Sequence, residues 1–105
     1  MKRKGVTPMG IKHGREYGDI LKDLTEAVSQ IPDSYIFFEM EPSEWSQLLQ
    51  EQKDEVWEAL AEDLFYALGT QPMIEVGSAI VTHDVNLHRI NLFIGDQEFT
   101  SVRLV

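Results

Sequence analysis

SEWSQLLQEQKDEVWEALAEDLFYAL, residues 43–68, is the stretch whose periodicity decides the fold. Stepped round a helix at about 100° per residue, it divides into two stripes. Trp45, Leu49, Val56, Leu60, Leu64 and Ala67 share one side, with Leu48, Trp57, Ala61 and Leu68 at its margins. Glu44, Glu51, Glu55, Glu58 and Glu62 fall on the other. Back-to-back stripes of this kind describe a long amphipathic helix with a buried face and an acidic, solvated one. Ser43 is placed to cap its start, with Glu44 near the positive helix end; Gly69 closes it and Pro72 forbids continuation. Lys53 lies on the apolar side, where its stem can snorkel. It also permits a break near Gln52, so two shorter helices remain an alternative.

Ahead of this stretch, Tyr17, Ile20, Leu21, Leu24, Val28 and Ile31 recur at steps of three and four, predicting a helix over 15–30 that Pro32 ends. Gly18 weakens its first turn, so the start can slip to Asp19 as N-cap. Residues 32–34 form a turn, and residues 35–41 alternate as a strand does. Ile36, Phe38 and Met40 would point one way, and Tyr35, Phe37, Glu39 and Glu41 the other. Both faces begin apolar, which predicts a strand internal to the sheet. After the long helix, strands are expected over 74–83, 87–94 and 99–105, joined by hairpins at 84–86 and near Gly95. Ile90, Leu92 and Ile94 make the core face, with Phe93, Phe99 and Val105 directed away. A two-residue or a three-residue turn at Gly95 would put different residues of the last strand inside. The order α-β-α-β-β-β specifies a two-layer α+β domain, helices packed on a mainly antiparallel four-stranded sheet.

At 105 residues the chain is one domain, and 43% apolar content is enough for a core of its own. Residues 1–14, with three glycines, a proline and no apolar period, read as a flexible basic arm ahead of a single domain over 15–105. The net charge of −9 hides an asymmetry. Residues 1–15 carry five cations and no acid, whereas residues 16–105 hold four cations against all 18 acids. An acidic body repels nucleic acid and anionic membrane, so neither is expected as a partner. The arm has no aromatic residue to stack on a base, the first being Tyr17. No apolar run spans a bilayer and none follows the basic start as a signal peptide requires, so the expected location is cytoplasmic.

Little in the sequence points to chemistry. The absence of cysteine excludes a disulfide framework, a thiolate metal site and a thiol nucleophile. No serine stands in a nucleophile elbow, and the glycines at 10, 14 and 18 do not make a phosphate loop. Glu39 and Glu41 would lie roughly 7 Å apart on one strand face, but with nothing to separate their acidities. His83 and His88 would face each other across a hairpin with its tip at Val85-Asn86, where Asp84 or His13 could complete a zinc or nickel set. A site needs three or four ligands and this segment supplies two. No cofactor and no catalytic residue is therefore assigned.

The expectation from sequence is a non-enzymatic protein–protein interaction or regulatory domain. Its alternative is a metal-binding enzyme or sensor using the hairpin histidines. The acidic row Glu51, Glu55, Glu58 and Glu62 is the expected partner-binding surface, suited to a protein with a basic face. Surplus apolar side chains on the sheet (Tyr35, Phe37, Phe93 and Phe99) predict a homodimer.

Overall fold

A computed structural model describes residues 11–105. Helix α1 spans Tyr17–Val28, a 3₁₀ turn Ser34–Phe38, α2 Pro42–Ser46 and α3 Gln50–Ala67. Four strands follow: β1 Met73–Val76, β2 Ala79–Asp84, β3 Arg89–Ile94 and β4 Gln97–Arg103. They form one antiparallel meander in the order β1-β2-β3-β4. The helices cover one face of it, giving the two-layer α+β architecture with its four-stranded sheet. The core is a single cluster built from α1 (Ile20, Leu24, Val28), α3 (Leu60, Leu64, Phe65) and the inner sheet face (Val81, Ile90, Leu92, Val102). Among the described residues no helix is long and apolar enough to cross a membrane.

The long helix breaks at residues 47–49. Gln52 Oε1 accepts the Leu49 N–H at 2.9 Å and so caps a new helix start; Ser43 lies inside α2, behind Glu41, whose N–H is bound by Glu44. The reason for the break is aromatic. Trp45 and Trp57 meet edge to face with centroids 5.6 Å apart. On an unbroken helix the twelve-residue separation would hold their backbones roughly 18 Å apart. Folding α2 back lets Trp45 also stack on Tyr35 at 5.4 Å, under the Lys53 ammonium at 5.3 Å.

Residues 35–41 are not a strand. Ser34–Phe38 is a 3₁₀ turn closed by Glu39 in the left-handed region, φ 58°. The segment pairs with neither edge of the sheet, because its backbone turns back on itself, with the Ile36 N–H on the Asp33 carbonyl and the Glu39 N–H on the Ile36 carbonyl. The fourth strand comes instead from 74–83, which Gly77-Ser78 folds into the β1–β2 hairpin, with Val76 opposite Ala79. Asp33, at the head of the 3₁₀ turn, supports that hairpin: its Oδ1 accepts from the Ser78 N–H and Oγ–H, both at 3.0 Å. Neither expected face forms: Ile36 is 50% and Phe38 37% exposed, while Tyr35, Phe37 and Met40 are half-buried.

The other strands begin or end within two residues of expectation. At Gly95-Asp96 the two-residue turn is adopted, Ile94 opposite Gln97 and Gly95 at φ 64°. A bulge between Leu92 and Phe93 returns Phe99 to the core rather than away from it. Ile90 and Leu92 are buried as the alternation requires, while Ile94, at the strand end, is 37% exposed. Of the N-terminal arm, residues 1–10 lie outside the described residues. Ile11 is buried in the core and the Gly14 N–H donates to the Leu104 carbonyl at 2.7 Å.

Candidate functional site

The acidic row stands on α3. Burial on that helix centres on Leu60, Ala61, Leu64, Phe65 and Leu68, so the inward face is turned toward Phe65 and away from Val56 and Ala67. Glu51, Glu55, Glu58 and Glu62 are all exposed. Of the four, Glu58 lines a small cleft with Leu21, Lys22 and Thr25 of α1. Among the described residues one salt bridge forms, Arg15 to Asp23 at 2.9 Å, and it involves none of the four. Glu39 and Glu41 are no pair: one sits in the left-handed region and the other caps α2.

The three histidines of the chain converge. His13 from the segment before α1, His83 from β2 and His88 from the β2–β3 loop line one open cleft of about 810 Å³ with Ile11, Lys12 and Val85. The loop is longer than the sequence implies, Val85 to His88, with His88 at φ 53°, so His83 pairs across the ladder with Ile90 rather than with His88. His13 Nδ1 lies 2.8 Å from the Ile11 carbonyl and donates to it, which fixes the ring and leaves Nε2 as its second polar atom. Phe65 packs edge-on against His13, centroids 5.4 Å apart. Asp84 does not join the cleft as a ligand. Its Oδ1 accepts the Asn86 and Leu87 N–H groups at 3.0 Å each and shapes the loop.

Burial lowers the His83 pKa from 6.5, with His88 adding to the effect and Asp84 opposing it. The unfolded chain then binds the proton more readily than the folded one, so stability falls as pH drops below 6.5. On the helix side, burial and the neighbouring Tyr66 push Tyr17 up to about 12. Among the described residues no group of three or more His, Cys, Asp or Glu is arranged to hold a metal ion. The cleft gathers imidazoles without assembling a coordination sphere.

A further surface was not legible in the sequence. The outer face of the sheet carries three rows that follow from the strand register. Glu75, Ile80, Phe93 and Glu98 form one end row; Met73, Thr82, Asn91 and Ser101 the middle; Asp84, Arg89 and Arg103 the other end. Asn91 is 7% exposed, and among the described residues neither its Oδ1 nor Arg89 Nε has a hydrogen-bond partner. Tyr35 and Phe37, expected on this face, lie in the 3₁₀ turn instead, and of the four aromatic residues only Phe93 is here. Compared with protein-family models, curated proteins and solved structures, the chain matches none.

Proposed function

We propose that this chain is a protein-interaction domain with no chemistry of its own, which pairs with a second copy through the outer sheet face and presents the α3 glutamates to a basic partner. The observation that supports it best is the charge pattern of that sheet face. Glu75 and Glu98 mark one end of the strands, and Arg89 faces Arg103 directly across the ladder at the other. Like charges directly opposite each other are unfavourable on an open sheet. A two-fold axis perpendicular to the strands sets each strand over its own copy with its ends exchanged, which lays the Arg89 and Arg103 pair over the partner copy's Phe93 and Glu98, and Phe93 and Ile80 then bury apolar surface between the sheets. The unpartnered Asn91 and Arg89 atoms gain polar groups to meet.

The test is charge reversal read by solution mass. The wild-type chain is expected to sediment as a dimer, and Arg89→Glu/Arg103→Glu and Glu75→Lys/Glu98→Lys each as monomers. An equimolar mixture of the two variants recovers the doubled mass. A wild-type chain that stays monomeric at high concentration, or a mixture that fails to associate, rules the interface out.

The glutamate row makes a separate prediction. Glu51/Glu55 and Glu58/Glu62 are like charges one turn apart and Glu55/Glu58 three residues apart, each pair costing ~0.2–0.5 kcal/mol. Changing all four to Gln is expected to raise stability by about 1 kcal/mol at low salt. The same change strips basic partners from a pulldown, because a basic surface is what relieves the repulsion. A stabilised variant with an unchanged set of captured proteins sinks the row as a docking surface while leaving the dimer untouched.

A further inference from the structure

The histidine cleft is independent of both surfaces. Its volume of about 810 Å³ is that of a small-molecule site. What lines it runs against the composition of the chain. Residues 16–105 carry 18 acids and four cations, yet among the described residues the cleft is lined by Lys12, His13, His83 and His88 and by no carboxylate. The acid beside His83 in sequence, Asp84, has the loop N–H groups on its Oδ1. Gly69, just past α3, also borders the space. The Tyr66 carbonyl accepts from the Gly69 N–H and the Ala67 carbonyl from the Thr70 and Gln71 N–H groups, and the helix end favours a protonated imidazole nearby.

We propose that this cleft binds a small organic carboxylate, its apolar body against Ile11 and Val85 and its charge facing Lys12 and the three imidazoles. Lys12 supplies a cationic partner for the carboxylate, and the imidazoles supply ring N–H donors. The ring of His13, held by the Ile11 carbonyl and by Phe65, presents a donor already oriented once its Nε2 is protonated. Burial disfavours the protonated form of His83, with Asp84 opposing the effect and His88 adding to it. An anion reverses that balance, so binding and proton uptake are coupled with the same sign. On the opposing side the group near His13 is Tyr17, with Tyr66 and Glu62 beyond it. Tyr17, pushed to about 12, stays neutral throughout.

The probe is sodium benzoate, followed through the imidazole ¹H–¹⁵N resonances of the full chain. Benzyl alcohol and zinc chloride serve as the neutral and metal comparisons. Benzoate is expected to shift all three histidines saturably, with affinity tenfold or more higher at about pH 5.5 than at about pH 8, a gain worth 1.4 kcal/mol per factor of ten. The imidazoles should titrate at higher pH in its presence. Lys12→Gln, at an exposed position that does not endanger folding, weakens benzoate several-fold. Benzyl alcohol binding as tightly as benzoate would show an apolar hollow, and stoichiometric zinc capture by the three imidazoles would show a metal site. Either result, or the absence of a saturable benzoate shift, overturns the proposal.

Discussion

Replacing Phe65 with alanine is expected to lower stability by about 3–5 kcal/mol, a large share of the 5–15 kcal/mol that holds a domain of this size. Phe65 is 2% exposed and is the largest fully buried side chain of the core. Its ring meets Tyr17 edge-on at 5.0 Å and His13 at 5.4 Å, joining α3, α1 and the segment that leads into α1. Truncation leaves a cavity bordered by rings that cannot collapse without moving a helix, so little of the loss is recovered. Melting should fall by roughly 15–20 °C, and the urea midpoint should drop without a change of slope. Tyr66 is the internal control. It follows Phe65 in the chain but is 45% exposed, and Tyr66→Ala should cost less than about 1 kcal/mol. Equal costs at the two positions would mean that the helix is turned differently from the orientation described.

The second large effect concerns two glycines of nearly equal conformation. Gly77 has φ 59° and Gly95 φ 64°, each at the first position of a two-residue hairpin turn. An alanine at either pays the left-handed penalty, roughly 1–2 kcal/mol. At Gly95 a methyl group meets nothing within 4 Å, so Gly95→Ala ends there. At Gly77 the added carbon collides with the carbonyl and carboxylate oxygens of Asp33. Relief requires Asp33 to withdraw, which also breaks its two hydrogen bonds to Ser78. Gly77→Ala is therefore expected to cost about 3–4 kcal/mol, with each lost bond to the charged carboxylate worth ~1 kcal/mol or more. The cause can be isolated with Asp33→Ala. In that background the gap between the two glycine variants should narrow, because the colliding carboxylate and its bonds are already gone. A gap that stays the same assigns the difference to something other than the Asp33 side chain, its backbone carbonyl included.

These two positions also mark what could and could not be read along the chain. The turn at Gly95 was visible because apolar alternation flanks it on both sides. The Gly77-Ser78 turn carries the same chemistry, but Ile74, Val76, Ile80 and Val81 around it form an apolar run long enough to pass for one continuous strand. The histidine cleft was half legible. His83 and His88 are five residues apart, and local geometry places them near each other. The arrival of His13 from the opposite end of the chain is a consequence of Ile11 docking in the core.

Periodicity alone determined the two principal helices, the terminal meander, the two-layer α+β class and the exposure of the glutamate row. Each rests on whether a side chain at a given spacing can reach an apolar neighbour, and spacing is a local property. Three things belonged to the tertiary structure. Residues 35–41 have the composition of a strand, but their backbone groups are taken up locally by the 3₁₀ turn, and they join neither edge of the meander. The long helix breaks because Trp45 gains more by stacking on Tyr35 and Trp57 than by continuing the turn. The charge pattern of the outer sheet face exists only in the register, which brings Arg89 beside Arg103 and sets Glu75 and Glu98 at the far end. No distance along the chain encodes that juxtaposition, because it depends on three hairpins closing in step.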